Sequence, residues 1–273
     1  MSWLFPTRDE TVAKLRAALD AEELERAAEL AHKAMRKWPD DPEVFELAGW
    51  VAAELEAPDE AVAAFGRAAT LDPESIGALL GRASAWLDLA DPARALDDAR
   101  AAVDLDKDDA EAHYVLATAL ELAGRLREAD REYERAERLD PDAFPRPFRV
   151  SRHTFDHLMR RAIERLPPHV HDAIDNLSMG VKDHPGPEDQ IEGEKPLSLQ
   201  LLGVFQGASL RERTTEDPWT TAGPGIILLF QKNLERACRS REELEEQILI
   251  TVFHEVGHYL GMDEDEIHGR GLG

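Results

Sequence analysis

In the first half of the chain, apolar residues recur at three- and four-residue spacing in short runs, each closed by a turn residue. Tyr114, Val115, Leu116 and Leu120 form one run, and Ala129, Tyr133, Ala136 and Leu139 the next, with Gly124 between them. This pattern predicts two amphipathic helices folded back on each other. It then repeats. Ala27, Ala61, Ala95 and Ala129 stand 34 residues apart, as do Ala34, Ala68, Ala102 and Ala136. Pro39, Pro73 and Pro141 keep the same step, with Lys107 in the remaining place. Alanine at fixed points of the second helix lets two backbones approach closely, and Phe45, Phe65, Trp86 and Tyr133 are the bulky side chains predicted to fill the gaps. Proline just past each second helix ends it. No unit of this kind buries its apolar face alone, so neighbours must stack.

The pattern changes after residue 141. Pro141-Asp142-Ala143-Phe144-Pro145-Arg146-Pro147-Phe148 holds three prolines in eight residues and breaks the repeat, so 142–150 reads as a linker between domains at 1–141 and 151–273. Ser151 is the predicted N-cap of a helix with Phe155, Leu158, Met159, Ala162 and Leu166 on one face, closed by Pro167 and Pro168. A short helix near Val170–Leu177 follows. Ser178–Lys182, Leu201–Phe205 and Gly225–Phe230 read as strands, and the polar stretch from Asp183 to Lys195 as a mobile loop. Ser240, with Glu243 three residues on, opens a long helix that runs to about Leu260. Helices, a small sheet and a last helix make an α+β domain.

With its 34-residue step and its fixed alanines, the region 8–141 resembles the tetratricopeptide repeat family. Three units match well, with Gly49, Gly124 and Leu116 at family positions. The first, Arg8 to Asp40, is divergent: Lys14 and Leu15 replace the usual large–small pair. The resemblance implies an α-helical solenoid whose concave surface binds a protein or peptide partner.

Charge narrows the partner. The chain carries 56 acidic and 32 basic residues, a net charge of −24, which argues against nucleic acid and anionic membrane as ligands. Residues 1–141 hold 33 of the acidic and 17 of the basic side chains, two-thirds of the excess. A basic segment is therefore the favoured occupant of a repeat groove. Cys238 has no partner for a disulfide, and the N-terminal sequence shows no basic region leading into an apolar stretch, so a cytoplasmic location is expected.

The candidate chemistry lies near the C-terminus, in His254-Glu255-Val256-Gly257-His258. Four residues turn a helix by about 400°, so both imidazoles leave one face within reach of one metal ion. Glu255 stands beside them, placed to take a proton from an activated water. Gly261 suits a left-handed helix stop, and Glu264 is the leading third ligand, with Asp263, Asp265, Glu266 and His268 as rivals. For stabilising an oxyanion the nearest side chains are Tyr259 and His268, and both are equally open to packing or solvent roles. His153 and His157 share the helical spacing, but no glutamate follows His153. Cys238 lacks the setting of a nucleophile and reads as packing.

Together with Arg149-Val150-Ser151, the run Leu201 to Gly207, Gly225–Phe230, Arg241 to Leu244 and the ending Gly261 to His268, this motif resembles the minimal zincin-like metallopeptidase family of small bacterial domains, over Arg149–Leu272. The resemblance implies a pared-down zincin fold with one zinc ion on the last helix and a peptide-bond hydrolase activity. A strand at Ile226–Phe230 is the expected edge for pairing with an extended peptide. The alternative is a catalytically silent zincin-like domain on a repeat adaptor.

Overall fold

The computed structural model describes residues 7–167, 170–171, 174, 177–186, 189, 197–210, 225–262 and 266. The chain divides into two compact units, Met1–Pro145 and Arg146–Gly273.

Unit 1 is built of helix pairs: α1 (Arg8–Asp20) with α2 (Leu24–Lys37), α3 (Pro42–Glu54) with α4 (Pro58–Leu71), α5 (Ile76–Asp88) with α6 (Pro92–Leu105), and α7 (Ala110–Leu122) with α8 (Leu126–Leu139). The alanines that mark the repeat are buried to the last few per cent, where a larger side chain would hold the helices apart. Phe65 shows how tightly the interior is filled. A Cβ on Gly49 would lie 2.6 Å from its ring, and one on Gly81 would overlap it. Two further series keep the step of 34 residues. Thr7, Asp41, Ser75 and Asp109 cap the first helix of every pair, each side chain accepting from a backbone N–H in the first turn. Glu22, Glu56, Ala90 and Gly124 adopt positive φ where that helix ends. The next amide donates back across the helix end in each case, from Glu23, Ala57, Asp91 and Arg125 to the carbonyls of Ala18, Ala52, Trp86 and Leu120.

In unit 2, Ser151 caps α9 (Arg152–Glu164), whose Phe155, Leu158 and Ala162 are fully buried. A three-stranded sheet has the order β1 (Ser178–Lys182), β3 (Ile226–Phe230), β2 (Gly203–Gln206). β1 runs parallel to β3 and β2 antiparallel to it. The strand expected to receive a peptide is therefore central, with both edges already paired. Its Ile227, Leu228, Leu229 and Phe230 are buried, as a continuous apolar run in a covered strand should be. β1 and β2 are the outer strands of the sheet.

A short helix not anticipated from the sequence, α10 (Gln231–Arg236), follows β3 directly. Its polar residues are anchors. Glu235 is fully buried and accepts from Arg149 at 3.2 Å, Lys232 at 3.0 Å, the Gln231 amide at 2.7 Å and the Val150 N–H at 3.1 Å. A buried carboxylate without such partners would cost several kcal/mol, on the order of 3–5. Asn233 donates to the carbonyls of Leu199 at 2.8 Å and Leu201 at 2.6 Å, which fixes the segment entering β2 and delays the strand to Gly203. The described part of the stretch expected to be mobile is held as well. Asp189 is 2% exposed, binds the Lys182 ammonium and accepts from the Gly186 N–H at 2.9 Å. The short helix expected near Val170–Leu177 lies largely outside the described residues.

The last helix, α11 (Arg241–Leu260), packs on α9, β2 and β3 through Leu244, Ile248, Val252 and Val256. Ser240 caps it by accepting from the Glu243 N–H, while Glu243 reaches back to the Arg239 N–H at 2.7 Å. Gly261 ends it at φ 81°, ψ 25°.

Candidate functional site

The two histidines of α11 meet. His254 Nε2 and His258 Nε2 are 3.1 Å apart, their ring planes at 74°, and both side chains are half-buried. A spacing of four residues stacks them one turn apart, and the common tilt of side chains on a helix points them the same way. At the end of the helix the Gly261 N–H bonds to the His258 carbonyl at 2.9 Å and the Met262 N–H to the Gly257 carbonyl at 3.0 Å. The chain is thereby turned sharply just beyond the second imidazole.

Glu255 is 6% exposed and points toward the sheet. Its Oε2 accepts from the Phe205 N–H at 2.7 Å. The register explains why that amide is available. The Phe230 N–H bonds to the Leu202 carbonyl, so along β2 the backbone groups of Val204 and Gln206 face β3 while those of Gly203 and Phe205 face outward. Strand and helix run side by side with matching steps. Two residues of strand advance about 6.8 Å and four of helix about 6 Å, so Gly203 meets Thr251 where Phe205 meets Glu255. A Cβ on Gly203 would lie 2.7 Å from the Thr251 methyl, which makes glycine a condition of this approach. Sequence reasoning passed over Gly203 and Phe205 as site residues. The available signal was a single glycine inside a strand pattern, which marks a close backbone approach.

Tyr259 is buried, with its ring 5.5 Å from that of Phe205, in the packing role of the two open to it. His153 and His157 are exposed. Glu264, Asp263, Asp265 and His268 lie outside the described residues. Among the described residues, Glu266 included, no third His, Cys, Asp or Glu completes a metal-binding group with the histidine pair.

Residues 174–272 match the family model described as zincin-like metallopeptidase, and residues 12–76 and 80–144 match the tetratricopeptide repeat model. The chain carries a tetratricopeptide solenoid followed by a zincin-like domain. No curated protein matches it. Similar solved structures include a mutant of MamA, 22% identical over 50% of this chain and 78% of that one, with a TM-score of 0.43. A thermophilic TPR protein of Thermus thermophilus is 18% identical over 50% and 75%, with a TM-score of 0.46. YrrB, titled a TPR protein with an unusual peptide-binding site, is 20% identical over 50% and 70%, with a TM-score of 0.45.

Zincins as a family imply zinc, and the donor pair of the zincin-like domain fits that ion. Two imidazole nitrogens held at about 2.0–2.1 Å by one tetrahedral zinc stand about 3.3–3.4 Å apart. The observed 3.1 Å is close to that bite. Both donors are imidazole nitrogens, a ligand type that zinc commonly takes. Elsewhere among the described residues, no helix is long and apolar enough to cross a membrane.

Proposed function

We propose that the zincin-like domain, residues 151–273, is a zinc-dependent peptide-bond hydrolase, and that the repeats at 1–141, joined through the linker 142–150, recruit its protein partner or substrate. His254, His258 and Glu264 hold the ion, one per chain. When bound, zinc supplies Lewis-acid polarisation of a carbonyl and activation of water near neutral pH. Glu255 is the group that takes a proton and returns it to the leaving amine. Its carboxylate is oriented for this by the Phe205 N–H, and its burial beside the imidazoles keeps bulk water from competing. β2, an outer strand of the sheet, replaces the central strand as the edge for an extended peptide, with the outward groups of Gly203 and the Phe205 carbonyl as the pairing positions, since the Phe205 N–H is held by Glu255. In the repeats, a protein or peptide lies in the groove, and a basic one suits their negative charge. We place the protein in the cytoplasm.

The observation that carries this reading is the convergence of His254 Nε2 and His258 Nε2 next to a buried Glu255. Metal analysis of the purified chain tests it: about one zinc per chain is expected, and near none in His254→Ala with the fold retained. Glu255→Gln is expected to keep the metal and lose turnover. Equal metal content in wild type and His254→Ala ends the proposal. Burial of Tyr259 favours the second reading, a silent domain on a repeat adaptor, in one respect: it withdraws a candidate for the oxyanion. That reading expects partner capture unchanged in Glu255→Gln and no cleavage of the captured protein.

A further inference from the structure

Among the described residues of unit 2, two large apolar side chains are exposed, Ile250 at 38% and Leu210 at 43%. A single exposed apolar residue calls for no explanation, but these two flank the histidine pair along α11. Ile250 precedes His254 by one turn, so Ile250, His254 and His258 follow one another at four-residue steps on one stripe of the helix. Leu249 and Phe253 beside it pack against the core of unit 2, while Ile250 faces solvent. The stripe has a polar limit one turn further back, where Glu246 pairs with Arg165 at 2.6 Å. Leu210 is brought to the other end by the chain that follows β2. That chain meets α11 at Thr251 through Gly203 and at Glu255 through the Phe205 N–H, and runs on until the Leu210 N–H bonds to the Tyr259 carbonyl at 2.7 Å. Gly203 to Leu210 thus form a bank along α11 that starts one turn before the pair and ends just beyond it.

We propose that Ile250 and Leu210 determine which peptide is accepted at the histidine pair: an extended segment with large apolar side chains four residues apart, one over each, and the histidines between them. The proposal rests on the hydrolase reading above and names its substrate class. The spacing follows from two periodicities. From Ile250 to Tyr259, where Leu210 is attached, the helix rises about 13.5 Å, and four residues of extended chain span about 13.6 Å. An even number of residues also returns side chains to the same side of the peptide, so both can point toward α11. Each contact withdraws apolar surface from water on both partners, and a leucine largely buried in this way is worth about tenfold in affinity. The repeats select for charge and this stripe for apolar surface, so the two demands fall on different segments of one substrate.

Fluorescence anisotropy on the full chain tests this, with Glu255→Gln used so that no probe is consumed. The probes are fluorescein-labelled peptides of glycine and serine with two leucines four residues apart, two leucines three apart, or none. The four-spaced peptide is expected to bind about tenfold or more tighter than the leucine-free one, and several-fold tighter than the three-spaced one. Ile250→Ser/Leu210→Ser in the same background should erase these differences, each single substitution giving part of the loss. Metal content and thermal unfolding should stay unchanged, because both positions are exposed. Wild type given a random peptide mixture should cut between large apolar residues four apart, read by mass spectrometry. Equal binding of the four-spaced and leucine-free probes overturns the proposal. So does a leucine preference that survives the two serines, because the probe then sits elsewhere on the chain. Spacing-dependent binding without any cleavage supports the proposal and ends the hydrolase reading. Cleavage indifferent to Ile250 and Leu210 does the reverse.

Discussion

Glu255 Oε2 lies 2.7 Å from the amide nitrogen of Phe205, a backbone donor on the outward side of β2, an outer strand of the sheet. This single bond ties the helix that carries the histidines to the strand that offers an edge. It exists only because Gly203, two residues earlier, lets β2 come within touching distance of Thr251. Gly203→Ala should therefore lift the strand away, costing about 1–3 kcal/mol of stability and the exchange protection of the Phe205 amide. Thr251→Ser removes the obstructing methyl and keeps the hydroxyl that donates to the Gln247 carbonyl at 2.9 Å. The double variant should be more stable than the sum of the two single losses. Strict additivity in denaturant unfolding, with Phe205 protection unchanged, would show that the close approach is not limiting.

The helix-ending turns of the repeats give a second prediction. Glu22, Glu56 and Ala90 sit at φ 56°, 53° and 57°, where Gly124 fills the equivalent place at 74°. Left-handed backbone costs a residue with a Cβ about 1–2 kcal/mol, and glycine returns about 0.4–1 of that through the unfolded chain. Glu22→Gly/Glu56→Gly/Ala90→Gly should stabilise unit 1 by about 2–3 kcal/mol in all, since the sites lie in separate turns. Gly124→Ala should lose about 1 kcal/mol. Chemical unfolding followed by helical circular dichroism reads both, and a triple variant less stable than wild type would refute the argument.

What the sequence disclosed, and what it hid, follows from the range of the interactions involved. The repeats were legible because helix contact forces small residues to fixed positions, so Ala27 and its equivalents announce themselves. Glu22, Glu56 and Ala90 were hidden because only glycine advertises positive φ. The meeting of His254 and His258 on one face of α11 was readable from helix geometry alone. Phe205 was not, because its contribution is a backbone N–H that any residue type possesses. The placement of β3 between β1 and β2 depends on pairings some twenty to fifty residues apart in sequence, which alternation within one strand cannot encode. Similarly, α10 was missed because Glu235 reads as a surface acid until Arg149, Lys232 and Val150 are brought to it.

Cys238 supplies a third prediction. It is 3% exposed, and burial together with the charge of Glu243 pushes its thiol up to about 11. At pH 8 its thiolate fraction is thus about a hundredfold below that of a thiol with the unshifted value, and reactivity follows the thiolate. A disulfide reagent should leave the folded chain unlabelled for as long as unit 2 stays closed, and should label it stoichiometrically in denaturant. Labelling of native protein at the rate of an exposed cysteine would contradict the packing role.

His184 gives unit 2 a dependence on acid. Its Nδ1 is buried and finds no hydrogen-bond partner among the described residues. Burial, with the positive charges of Arg236, Arg149 and Lys232 and only Asp183 in opposition, lowers its pKa from 6.5 to about 4. The native imidazole is therefore neutral across a range in which the unfolded one is already charged. Below pH 6.5 the unfolded chain takes up a proton that the native state refuses, so stability falls as the pH drops from 6.5 toward 4. By pH 4 the loss approaches about 3 kcal/mol, with no further decrement from this residue below that. Above pH 6.5 the residue contributes no slope, because both states are neutral. His184→Gln removes the proton site while keeping a polar side chain of similar reach, and should flatten this part of the profile relative to wild type. Denaturant unfolding of unit 2 at about pH 7, 5.5 and 4.5 in both proteins measures the difference, and parallel profiles would mean that His184 reaches solvent when it charges.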